Sequence, residues 1–305
     1  MSPVDNAEGV TGADPSLPSV RVKNVLVPLD GSELSLQAMP TARVLAERLG
    51  ADLHTVTVAD REDDAERSRT LASAALGVPL DSSRVSVVTD GDPADVIARR
   101  AESLGSCVVC MATHGRGRLG GALVGSVARS VLQRSDAPVI ALGPSADNPG
   151  WSPRPRLWPE PLSVARIVAC VDGNTTSEQV LPLAAAWAQA LDMSLTIVTV
   201  IEDAPAPIRP DRGHRGYGGH TDAESYIEQL VRHWRTQLPG TDGEVVRDPL
   251  GPASGMRAHL DQRPAGLVAL TTHARSGVQR VLLGAAAASI VRASIAPCLV
   301  APVRV

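Results

Sequence analysis

Between Ala112 and Ser126 the chain reads ATHGRGRLGGALVGS, where glycines are interleaved with His114, Arg116 and Arg118 before a closing Gly125-Ser126. Main chain stripped of Cβ atoms can approach an anion closely, and guanidinium groups add charge-assisted hydrogen bonds to phosphate. Three phosphate motifs compete for the stretch. A Walker loop needs Gly, four residues, then Gly-Lys-Ser/Thr. Gly120 and Gly125 have that spacing, but Ser126 follows directly and Lys23 is the only lysine in the chain. Gly115, Gly117 and Gly120 spell GxGxxG, yet the dinucleotide version must open a helix directly, and here another loop intervenes before the helix. The third reading is a longer loop: a turn at Gly115, nine residues, then Gly125-Ser126 opening the helix VARSVLQR. Ser126 then reads as the N-cap, and the unpaired amides of the first turn favour an anion. A glycine-rich helix entry with no ligand is the alternative on these residues alone.

Asp30 ends the apolar run NVLVPLD, and a carboxylate at a strand end can accept ribose hydroxyls or close a turn. Cys107 and Cys110 form C-x-x-C, but they lie in SCVVCMA, which reads as a buried strand. Residues three apart on a strand face opposite sides, so the pair can share neither a metal nor a disulfide. His114 and His273 occupy equivalent places in two related stretches. Neither has a carboxylate or nucleophile beside it in sequence, so each reads as orienting its loop.

These residues need elements to position them, and the chain supplies them twice. NVLVPLDGSE at Asn24 matches RIVACVDGNT at Arg166, and both lead through a helix-like segment to a further strand. From Asp30 to Val58 is 28 positions, as from Asp172 to Val200. Pro93 to His114 is 21, as is Pro252 to His273, and His114 to Pro138 is 24, as is His273 to Pro297. Asp30 to Pro93 is 63 but Asp172 to Pro252 is 80, so the second half carries 17 extra residues, placed in EDAPAPIRPDRGHRGYGGH. Each half alternates five strands with four helical segments, which predicts a parallel sheet covered on both faces. The expected fold is α/β, two tandem doubly wound five-stranded sheets of order 3-2-1-4-5. The divisions are a disordered lead over 1–20, domains over 21–144 and 164–305, and a proline-rich linker over 145–163. Ligands in such sheets bind beyond the carboxyl ends of strands, where Asp30 and the glycine stretch both fall. The short apolar fifth strands, APVIALG and APCLVAP, are expected at sheet edges that pair with one another inside the chain.

Composition sets limits. At 305 residues and 44% hydrophobic, the chain can build two cores, and a formal charge of −4 gives no reason to expect nucleic acid or an anionic membrane. No apolar run is long enough for a membrane span, the N-terminal residues lack the build of a secretory signal, and the four cysteines have no disulfide spacing. A reduced cytoplasm fits best.

NVLVPLDGSE, GDPADVI and MATHGRGRLGGALVGSVARSVLQRSDAPVIAL resemble the universal stress protein family in its tandem-domain form. Nucleotide-binding members carry Gly, two residues, Gly, nine residues, Gly-Ser/Thr. Ala112, Gly115, Gly125 and Ser126 fall on that pattern, with Ala112 departing from it. The resemblance implies ATP, with Mg2+ as its optional companion. It places adenine and ribose near Pro28, Asp30 and Val58, and phosphates near Met111, Gly115, Gly125, Ser126 and Val127. Ala112, His114 and Arg116 complete the expected site. In the second half Thr271, Ala274 and Ala285 replace Ala112, Gly115 and Ser126, so its site is expected to be weak or empty. The implied role is a nucleotide-dependent stress or dormancy regulator with a protein partner, acting as a homodimer rather than as an enzyme. A nucleotide-independent dimerisation module and a slow ATPase are the alternatives.

Overall fold

The computed structural model describes residues 20–59, 61–114, 124–146, 164–202, 222–274, 281–282 and 284–301. The N-terminal lead, most of the linker, the second-half insertion, Gly115 and Arg116 lie outside them. The first half runs β1 (Asn24–Pro28), α1 (Glu33–Leu36), α2 (Ala38–Leu49), β2 (Asp52–Val58), α3 (Glu62–Leu76), β3 (Val85–Val88), α4 (Pro93–Leu104), β4 (Cys107–Ala112), α5 (Ser126–Arg134) and β5 (Val139–Leu142). The second runs β6 (Arg166–Cys170), α6 (Thr175–Glu178), α7 (Val180–Ala190), β7 (Ser194–Ile201), α8 (Ala223–Arg235), β8 (Asp242–Arg247) and α9 (Pro252–Gln262). It ends with β9 (Leu267–Thr271), β10 (His273–Ala274), β11 (Val281–Leu282), α10 (Ala285–Ala293) and β12 (Cys298–Ala301).

The first helical segment of each half, expected to be continuous, is split at one place. Pro40 cannot donate to the carbonyl of Leu36, nor Pro182 to that of Glu178, and α1 and α6 end at those residues. β10 and β11 form an antiparallel pair in a stretch read as loop.

Each half shows the expected order, β3-β2-β1-β4-β5 and β12-β9-β6-β7-β8, and the two are joined into one ten-stranded sheet. The joint is antiparallel: Val139, Ile140 and Ala141 pair with Val300, Leu299 and Cys298. The fifth strands thus pair inside the chain, as their apolar edges predict. Beside the joint, a Cβ on Gly143 would run into the carbonyl of Val291 in α10, so only glycine lets the halves approach this closely.

Alternation along the strands divides the core into two layers that run through both halves. Val25, Val27, Ile140 and Leu299 pack with α2, α3, α7 and α8; Leu26, Val139, Cys298 and Val300 pack with α4, α5, α9 and α10. Cys110 belongs to the first layer and Cys107 to the second, so the C-x-x-C is divided by the sheet. Burial pushes the Cys107 thiol up to about 12 and that of Cys110 higher still. Both are core residues. Among the described residues no helix is long and apolar enough to cross a membrane.

Toward the other end of the sheet, His54 and His259 are packed beside arginines. Burial, reinforced by Arg100 at His54 and by Arg166 and Arg263 at His259, holds both rings below the ordinary histidine range; Asp52 and Glu244 oppose the shift. The folded chain therefore resists a proton that the unfolded chain accepts near pH ~6.5. Stability held above that pH is lost as pH falls below it. The urea midpoint should fall between pH 7.5 and 5.5, and His259→Gln should flatten the slope; a level wild-type profile would contradict this.

The joint generates a second expectation. Leu299 is fully buried, and Leu299→Asp places an unpaired charge there, costing at least ~3 kcal/mol. Chemical denaturation should show that loss in the chain itself. Unchanged stability would remove the joint from the core, and a dimer split into stable monomers would place the pairing between chains.

Candidate functional site

The β1–β4 ladder runs from Asn24–Cys107 to Leu26–Val109 and stops. Each strand goes on bonding its outer neighbour: Leu29 N–H donates to Val56 O at 2.9 Å and Thr113 N–H to Leu142 O at 2.9 Å. The opening between them is a cavity of about 310 Å3. Pro28, Asp30, Val58, Met111, Ala112, His114, Gly125, Ser126 and Val127 all line it. Of the expected site, only Gly115 and Arg116 fall outside the described residues. Val56, Ile97 and Met111 are buried and make its wall apolar.

Asp30 closes a local turn. Its Oδ1 accepts from Ser32 N–H at 2.9 Å and from Ser32 Oγ at 2.5 Å, while its own N–H donates to Ser35 Oγ at 3.3 Å. Ser32 in turn caps α1. The carboxylate is thereby held at the cavity rim by its own main chain. Asp172 repeats this arrangement with Asn174 and Ser177.

The phosphate end differs from expectation in one detail. Gly125, with φ −60° and ψ 156°, is the N-cap of α5, and Ser126 is its first helical residue. Capping belongs to the last residue with non-helical backbone, and that residue is the glycine. The N-cap glycine has no side chain with which to bond the first-turn amides, and Ser126 and Val127 at the start of α5 line the cavity. Such a helix start suits an anion. Gly125 also donates to Thr113 O at 2.8 Å, and a Cβ there would lie 2.7 Å from the same oxygen. The glycine is required by strand–helix contact, whatever the ligand. Ala112 is an ordinary strand residue paired with Leu142. Its backbone needs no glycine, and its methyl lines the cavity.

Sequence reasoning missed Ser35, Ile97 and Thr113, which also line the cavity. Ser35 carried a signal: it follows Asp30 by five positions, as Ser177 follows Asp172, and each hydroxyl receives the aspartate N–H.

The second half opens at the same place but retains only about 70 Å3. Cys170 and Met256 stand where the first half has Pro28 and Ile97, and their sulfur atoms meet at 3.7 Å. Ligand pockets span about 300–1,000 Å3, so the first cavity reaches that range and the second falls well short.

The sequence model described as Universal stress protein family matches residues 21–142 and 164–302. Universal stress proteins of Mycobacterium bovis and Mycobacterium tuberculosis are each 24% identical over 194 residues, 64% of this chain and 61% of theirs. The matched stretch thus covers less than two thirds of those proteins. Among solved structures, a universal stress protein from Archaeoglobus fulgidus superposes with a TM-score of 0.64 at 17% identity, covering 92% of this chain and 98% of its own. A protein of unknown function from Pseudomonas aeruginosa gives 0.59 at 15%, with 93% of each chain covered. At these identities the likeness is one of fold.

Gly125→Ala should destabilise the chain by about 1–3 kcal/mol with no nucleotide present, because a main-chain oxygen has nowhere to move. Urea denaturation checks it. An unshifted midpoint would leave ligand approach as the only reason for glycine there.

Proposed function

Because the chain belongs to the universal stress protein family, we propose that its first domain, residues 21–144, binds ATP and that the chain is a nucleotide-dependent regulator or sensor under stress. The observation that carries this reading is the 310 Å3 cavity, which joins an apolar wall to a helix start whose N-cap is a glycine. Val58, Ile97 and Met111 would pack on the base, and Asp30 would accept ribose hydroxyls. The amides of Ser126 and Val127 would meet the phosphates, with Gly115 and Arg116 completing that end. The bound nucleotide contributes the triphosphate charge that the helix start and arginine are suited to neutralise. Among the described residues no group of three or more His, Cys, Asp or Glu could hold a metal, so any Mg2+ would ride on the phosphates. We infer binding rather than turnover, readout by a protein partner, and a compartment that keeps the four free cysteines reduced, the cytoplasm.

A nucleotide-independent interaction module is the second reading. Ala112 favours it, as does Gly125, whose conformation is explained without a ligand.

Titration calorimetry separates the two. Wild type should take up one ATP per chain. Val127→Asp puts a carboxylate in the first turn of α5, where helices favour it, yet opposite the phosphates; affinity should fall at least about tenfold. Equal affinity would remove the α5 start from the site, and no uptake by wild type would favour the module. Two equivalent ATP per chain would contradict the filled second cavity. Sedimentation should report a homodimer, associating through a surface other than the β5–β12 joint.

A further inference from the structure

The ten-stranded sheet has two outer edges, β3 and β8, and neither has a second partner strand among the described residues. An open edge invites pairing with another chain, and proteins commonly guard it with charge. β8 is guarded: Arg263 bridges its Asp242 and Glu244, and its Arg247 bonds Glu224. β3 is not. It reads Val85-Ser-Val-Val88, without charge, proline or glycine, and Ser86, Val87 and Val88 are each only half-buried.

The hydrogen bonds of β3 define what this edge offers. The carbonyls of Arg84 and Val88 accept from Thr55 N–H at 2.9 Å and Ala59 N–H at 2.8 Å, so both point inward to β2 and the turn that follows it. Backbone groups alternate in direction along a strand, and the N–H and C=O of Val87 therefore point outward. Two such residues facing each other in an antiparallel pair exchange both bonds. Val87 can thus meet its own counterpart in a second copy on a two-fold axis, the isologous contact of closed dimers. The molecule already contains this arrangement once. At the joint, Ile140 pairs antiparallel with Leu299, its counterpart in the repeat.

The flanking charges select the same orientation. Arg84 immediately precedes β3, Asp90 follows it by two residues, and both are exposed. Antiparallel pairing brings the Arg84 end of each copy to the Asp90 end of the other, twice per dimer. Parallel pairing would bring like to like, and cross-strand neighbours favour opposite charges. Arg84 already faces Asp52 at 3.9 Å, a long contact, and a guanidinium has donors for a second carboxylate.

We propose that β3 is the edge through which two copies of this chain associate, antiparallel about a two-fold axis at Val87, so that the sheet continues from one copy into the other. This rests on the homodimer reading and supplies its surface; it does not depend on nucleotide. A strand of four residues makes a small contact, so the association belongs to the weak, reversible class.

Sedimentation of the full chain over a concentration series tests it. Wild type should show a monomer–dimer equilibrium. Val87→Pro removes an outward N–H and no bond to β2, at an edge position where strands tolerate proline. It should leave a monomer with the urea midpoint little changed. Arg84→Asp and Asp90→Arg each bring like charges together, and each should weaken the dimer by about tenfold. Mixed in equal amounts, these two variants bring opposite charges together again, and a heterodimer of near wild-type affinity should form. Such recovery cannot arise from a folding defect, because each chain keeps its own substitution. A dimer that survives Val87→Pro, or a mixture no tighter than either variant alone, overturns the β3 edge and leaves the homodimer reading standing. A wild type that stays monomeric at every concentration overturns both.

Discussion

Neighbouring parallel strands whose connections leave in opposite directions must part at their carboxyl ends, and β1 and β4 are that pair. The cost of parting two strands is unpaired backbone, which proteins rarely leave buried. Here each strand keeps its outer partner for longer than its inner one, so the main chain stays bonded while a gap opens at the centre. The cavity, the rim position of Asp30 and the approach of α5 through Gly125 all follow from that division of hydrogen bonds.

The duplicated half shows that the gap and its use are separate matters. β6 and β9 part after Ala169–Ala269, Val171 and Thr272 bond outward as Leu29 and Thr113 do, and the aspartate turn is retained. What differs is the filling. Cys170 and Met256 close the space with sulfur, an adaptable packing material, where the first half keeps an open cavity.

Much of this was legible in the sequence because the physics is local or periodic. Equal spacing from Asp30 to Val58 and from Asp172 to Val200 exposed the duplication, and continuous apolar strands implied a covered parallel sheet. The strand ends then located Asp30 and the glycine stretch, and the family resemblance supplied the other residues expected beside them, nine of which line the cavity. The rest depended on geometry that residue types do not carry. Ser126 reads as a cap by its chemistry, but the cap is decided by which residue keeps non-helical angles, and that is Gly125. The filling of the second cavity needed two sulfur atoms 86 residues apart to be brought together. Thr113 looks like one more strand residue until its carbonyl partner on β5 is known.

The antiparallel joint also has a consequence in time. Leu299 is made 159 residues after its partner Ile140, by subtraction of their numbers. At roughly 5–20 residues per second of synthesis, the first half waits about 8–30 seconds for the strand that covers its edge. During that interval β5 offers bonding groups and apolar side chains to whatever is near, including the β5 of a neighbouring nascent chain on the same message. A tandem chain therefore carries an interval of risk that a separately made, freely associating domain would meet only at its own concentration. Its sheltering during synthesis is as much a requirement of the architecture as the pairing itself.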